Sequence, residues 1–154
     1  MIFNRTQEDV NNAIKIREEK IKKFISLTDE ELAILERGII TINTLNRIED
    51  KQEELKNLFE EAGYNLDLII KKWEVKDFFT ELDWQNWFDN FQTIKENIPL
   101  YDNMPEIPNA TNLKIDYKIM NDIEKFLYLV EEIYEKIKSM YVYSGTIYSG
   151  QGVD

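Results

Sequence analysis

The sequence predicts a mainly α protein, a small helical bundle that ends in a short C-terminal β segment or hairpin. Three observations carry that expectation. Apolar residues recur at three- and four-residue spacing along most of the 154 positions. Five glycines and three prolines leave long stretches uninterrupted. Only beyond Ser139 does the pattern turn to alternation, in Tyr141-Val142-Tyr143 and Ile147-Tyr148. We read residues 1–140 as one bundle domain and 141–154 as an extended tail.

The first helix is announced by Thr6-Gln7-Glu8-Asp9, in which Thr6 caps the N3 amide and Asp9 reaches back. Val10, Ile14, Ile21 and Phe24 or Ile25 then form one apolar face over roughly 7–25, opposite Arg17-Glu18-Glu19-Lys20. A second capping box, Thr28-Asp29-Glu30-Glu31, opens a short helix with Leu32 and Leu35 on one face and Gly38 at its end. Thr41-Ile42-Asn43-Thr44 separates it from a third helix striped by Leu45, Ile48, Leu55, Leu58, Phe59 and Ala62, with Gly63 as the left-handed stop. So short a connection makes the second and third helices antiparallel or sharply angled neighbours.

Residues 64–73 lack a polar helical face and read as an extended connector or a half-turn buried against the bundle. From Asp83, a candidate N-cap, Trp84, Trp87, Phe88, Phe91, Ile94 and Ile98 sit at helical spacing until Pro99 stops the helix. Such an aromatic stripe is core or, since Trp and Phe are enriched there too, an interface patch. Residues 99–115 form a loop across the outside of the bundle. The last helix starts near Asp116 and carries Ile119, Ile123, Phe126, Leu127, Val130, Ile133, Tyr134 and Ile137, a spine of about 35 Å at ~1.5 Å per residue. The closing segment, with Ser144-Gly145 as its turn or kink, reads as β, and because a lone hairpin is marginal in water it needs a partner to lean on.

Composition removes whole classes of chemistry. Without cysteine or histidine the described chemistry has no disulfide, no thiolate or imidazole metal ligand and no Ser-His-Asp or Cys-His machinery. The glycines follow neither Walker nor dinucleotide spacing. The paired acids, such as Glu53-Glu54 and Glu131-Glu132, diverge by about 100° on a helix and read as solvated faces. Asp83, Asp89 and Asn90 are the nearest thing to an oxygen cluster, yet they match no metal-loop spacing. No catalytic function and no cofactor are expected. With no basic leader and no long apolar run, neither classical export nor a membrane span is expected.

The formal charge of −11 argues against phosphate-backbone binding. It is spread evenly, −4 over 1–63, −4 over 64–115 and −3 over 116–154, which fits solvated helix faces. The alternative class is an acidic inhibitor, a DNA mimic acting on a DNA-binding enzyme.

Two features invite a partner. Tyr141, Tyr143, Gly145, Ile147 and Tyr148 end the chain in a doubled Tyr-Ser-Gly pattern suited, if extended, to pairing with a neighbouring sheet edge; otherwise it is a tail packed on its own bundle. Asn46, Arg47 and Glu49 crowd polar groups at a helix start, either as cap and salt bridge or as a buried network that fixes the bundle's register.

The chain resembles a family of small proteins encoded in the tail-structure modules of phages and prophages of Gram-positive bacteria. The resemblance runs in order through Asn4-Arg5-Thr6-Gln7-Glu8-Asp9-Val10, Leu27-Thr28-Asp29-Glu30-Glu31, Leu45-Asn46-Arg47-Ile48-Glu49, Asn121-Asp122-Ile123-Glu124 and Tyr143 to Gly150. It implies a structural subunit near the baseplate or tail-fibre end, assembled in the bacterial cytoplasm and resident in the virion tail. Its partners would be other tail, baseplate or fibre proteins, with a homo-oligomer within the particle as one arrangement. It implies no catalysis.

Overall fold

The computed structural model describes residues 1–109 and 115–151, of which 142–151 are described as helical backbone. Five α-helices appear among them: α1 (Gln7–Glu19), α2 (Asp29–Gly38), α3 (Ile42–Glu61), α4 (Glu81–Asn97) and α5 (Tyr117–Gln151), with a 3-10 turn at Ile21–Lys23.

The helix starts follow side-chain capping. Thr6, Thr28 and Thr80 each accept the N3 amide, while Asp9, Glu31 and Asp83 reach back to the cap amide. Each such cap contributes about 1 kcal/mol. Asp83 is thus the N3 partner of Thr80 and not itself the cap, so α4 begins three residues earlier than expected. Thr41 caps α3 through the Thr44 amide, which places the expected separator inside the helix start. Gly63 ends the element at φ 89° as expected.

The first helix is shorter than its apolar spacing suggests. It stops at Glu19, and the Phe24 amide donates to Ile21 O and the Ile25 amide to Lys20 O, with Phe24 itself in the left-handed region at φ 56°. Its expected apolar face is largely open: Ile14 and Ile21 are exposed and Phe24 is 98% exposed. α1 packs on α2 as an antiparallel arm, and Gly38 makes the close approach possible. A Cβ there would lie 2.2 Å from Asp9 O and 2.3 Å from Ala13 Cβ.

The body is α3, α4 and α5 around Ile48, Leu55, Phe59, Trp87, Phe91, Ile94, Ile123, Phe126 and Leu127. Its helices run the same way. Arg47 meets Glu124 and Lys51 meets Glu131, and the Phe59 and Tyr134 rings are 5.4 Å apart, so partners advance together along α3 and α5. Trp87 meets Glu49 and Asn90 meets Gln52, so α4 advances with α3 as well. Parallel neighbours require long returns. Residues 64–80 make the first, and 98–109 and 115–116 belong to the second, with Leu66, Leu68, Trp73, Ile98 and Ile107 buried on the way.

The expected C-terminal β segment does not appear. α5 runs helical to Gln151, about 50 Å at ~1.5 Å per residue, and passes position 140 without a break. Extending a nucleated helix costs only the local propensity, about 1 kcal/mol at each of Gly145 and Gly150, whereas an isolated hairpin has nothing to lean on. Tyr141, Gly145 and Tyr148 also stand at helical spacing, an ambiguity that the alternating reading overlooked. Among the described residues no helix is long and apolar enough to cross a membrane.

Candidate functional site

The polar residues singled out on α3 divide between its two faces. Asn46 and Glu49 turn to the first return segment and Arg47 turns to α5. On the first face, Asn46 clamps one residue of the connector, accepting the Trp73 amide at 2.8 Å and donating to Trp73 O at 3.1 Å. From α4, Asn90 does the same to Ile69 at 2.9 and 2.8 Å, and donates to Gln52 at 2.5 Å. Between them the buried Glu49 accepts the Lys71 amide at 3.1 Å and the indole N–H groups of Trp73 at 3.3 Å and Trp87 at 2.7 Å.

Ile69, Lys71 and Trp73 alternate, so every second amide of an extended segment is satisfied by a side chain where a sheet would use a neighbouring strand. A carboxylate offers acceptors only, and here three N–H donors meet it. The Lys71 ammonium closes this side, 2.9 Å from Asp83 and 3.7 Å over the Trp73 ring. Burial acts to raise the Asp83 pKa, but the Thr80 hydroxyl and Lys71 outweigh it and hold the carboxyl below its usual range.

On the other face the scattered sequence motifs meet. Glu124 of α5 is fully buried and receives Arg5 at 2.5 Å, Arg47 at 2.9 Å and the Ile2 amide. Asn121, one turn earlier, accepts the Arg5 amide and donates to Arg5 O, both at 3.0 Å. Burial pushes the Glu124 carboxyl up, yet Arg47, Arg5 and the Ile2 amide together bring it below the ordinary glutamate range. The N-terminal strap then passes into the arm, where Arg37 of α2 binds Asp9 at 2.9 and 3.2 Å and Asn4 O at 3.3 Å. That guanidinium, chiefly by hydrogen bonding, lowers the Asp9 carboxyl to about 2.

The expected aromatic docking face is not on the surface. Trp84, Trp87 and Phe91 are buried and Phe88 is half-buried against the core. The core alternative for this stripe is the one the packing takes, because the rings fill the space between α4, the first return and α5: Phe91 meets Phe126 at 5.2 Å and Phe79 meets Trp87 at 5.0 Å. Of the tail residues, Tyr141 is exposed; the side chains of Tyr143, Ile147 and Tyr148, and the surroundings of Gly145, lie outside the described residues.

The exposed apolar surface lies elsewhere. Val75 is 92% and Phe78 84% exposed, with Leu82 beside them at the start of α4, and Phe24 tips the arm. Sequence spacing placed Phe24 or Ile25 on the apolar face of the first helix and passed over Val75 and Phe78. Their setting in charged, aperiodic stretches, Lys22-Lys23-Phe24 and Glu74-Val75-Lys76-Asp77-Phe78, was the available signal.

Among the described residues, no group of three or more acidic side chains stands where it would hold a metal ion. Asp83, Asp89 and Asn90 do not gather: Asp83 binds Lys71, Asp89 binds Gln85, and Asn90 clamps Ile69. Compared with protein-family models, with curated proteins and with solved structures, the chain matches none.

Proposed function

We propose that this chain is a structural subunit of a phage tail or tail-like particle, at the baseplate or tail-fibre end, and acts as an assembly adaptor. The observation that carries the reading is the fate of the motif residues. Arg5, Arg47, Asn121 and Glu124, drawn from three separated motifs of the resemblance, join in one cluster around the buried Glu124 that ties the N-terminal strap and α3 to α5. These motif residues thus hold the architecture together and leave the surface free for partners.

The strongly exposed apolar groups fit the same role. Phe24, Val75, Phe78, Met140 and Tyr141 cost hydration in the free chain and gain cover in an assembly. α5 adds a lever. Its segment 139–151 contains no charged residue in a chain of net charge −11, so it presents no charge to oppose a neighbouring subunit. The docking elements are then the arm tip, the Val75–Phe78–Leu82 patch and the α5 extension, and α4 supports them from inside.

The test is to purify tail particles from the producing strain and quantify this chain by mass spectrometry against the tail proteins. A constant ratio through successive density gradients supports the reading. Loss of the chain from the particle fraction, with recovery only on a nuclease or other DNA-binding enzyme, would replace it with the acidic-inhibitor class.

A further inference from the structure

The arm and the body do not close on one another. Between them lies a cleft of about 920 Å³, within the size range of binding pockets, walled by α1 on one side and by residues 115–120 on the other. Its α1 wall is the helix face that α2 leaves uncovered: Val10, Ile14 and Arg17 follow one another at four- and three-residue spacing, with Ile40 and Ile115 completing the apolar lining.

The charge of this cleft runs against that of the chain. Arg5, Arg17, Arg37 and Lys118 line it, against Asp116 alone, in a protein whose three stretches are each net negative. Arg5 and Arg37 are committed to Glu124 and Asp9. Arg17 has only a 3.4 Å contact with its neighbour Glu18, and Lys118 has no ion pair among the described residues. Two cations therefore line an apolar helical face, and the one acid of the lining, Asp116, is engaged with the Lys118 and Ile119 amides at the start of α5. An amphipathic helix with acids beside its apolar stripe answers both the face and the charge.

We propose that this cleft is a docking groove for an acidic amphipathic helix of a partner protein, held by its apolar stripe against Val10 and Ile14 and by carboxylates on Arg17 and Lys118. The proposal deepens the assembly reading by giving the partner's chemistry, and its test needs no particle. The probe is a fluorescein-labelled helical peptide with a leucine stripe flanked by glutamates, titrated with the full chain by fluorescence anisotropy, beside the same peptide carrying lysines.

The glutamate peptide binds and the lysine peptide does not, and the paired substitution Arg17→Glu and Lys118→Glu weakens binding at least ~tenfold, as loss of two charge contacts implies. Both positions are surface ones, and an unchanged thermal melt shows that the fold is kept. No binding of the glutamate peptide, equal binding of both peptides, or indifference to the charge reversal overturns the proposal. So does a dimer of the chain alone, seen by sedimentation velocity and dissolved by the same pair of substitutions, because the occupant is then a second copy. Failure here leaves particle incorporation untouched, so the two readings fail separately.

Discussion

Glu124 is the residue on which the most structure depends. A buried carboxylate between two guanidinium groups is tolerable because each charge is paired and hydrogen-bonded, and removing one member strands the others. Glu124→Gln leaves the buried Arg5 uncompensated, and we expect a loss of about 3–5 kcal/mol in urea unfolding. The pH dependence has a definite sign. A carboxyl held below its ordinary value binds fewer protons folded than unfolded, so its contribution is present above the ordinary glutamate value of 4.5 and is lost as pH falls through the lower folded value. Asp9 adds a second contribution in the same direction, lost as pH falls from its ordinary 3.8 through about 2. Stability curves of the wild type therefore fall below about pH 4.5, and Glu124→Gln flattens the upper part of that fall; parallel curves would contradict it.

At the scale of elements, the first return segment is the unusual piece. Residues 66–73 lie extended on helices with no strand beside them among the described residues, and Asn90, Glu49 and Asn46 supply the hydrogen bonds of the missing ladder. Asn90→Ala removes both bonds to Ile69, at about 1–3 kcal/mol for buried amides left unpaired. Hydrogen exchange should then quicken at 66–73 and stay slow in the body of α3; unchanged exchange at Ile69 would mean that the clamp is incidental.

These elements also show where the sequence was readable. The capping boxes at Thr6 and Thr28, the stop at Gly63 and the stripes of α3, α4 and α5 follow from local chemistry and came out as expected. A polar network at Asn46 and Glu49 was one of two readings left open, and their role follows only once the connector is laid against α3, because polar groups inside an apolar stripe can equally be caps or surface. The α1 stripe misled because spacing marks an apolar face without saying whether anything covers it. Beyond Ser139 the residues satisfy two periods at once, and helix continuation from α5 decided what alternation alone did not.

For the whole molecule, a three-helix body carries two projections, the α1–α2 arm with Phe24 at its tip and the end of α5 beyond Ile137. The arm is joined to the body by the short link from α2 to α3, by Glu36 with Asn43 and Arg47, and by the strap with its ties to Asn121, Glu124 and Arg37, while the α5 extension leaves the core after Ile137. The α5 extension is outside the core and should be removable without unfolding it, whereas the arm cannot be cut away without the strap whose Arg5 pairs the buried Glu124. The measurement that bears most directly on the assembly role compares the full chain with one stopped after Met140, by circular dichroism and by sedimentation with purified tail particles. The shortened chain should keep the body's cooperative melt and fail to sediment with particles that carry the full chain. Incorporation of the shortened chain at the normal ratio, or absence of the full chain from particles, would contradict the role proposed for this protein.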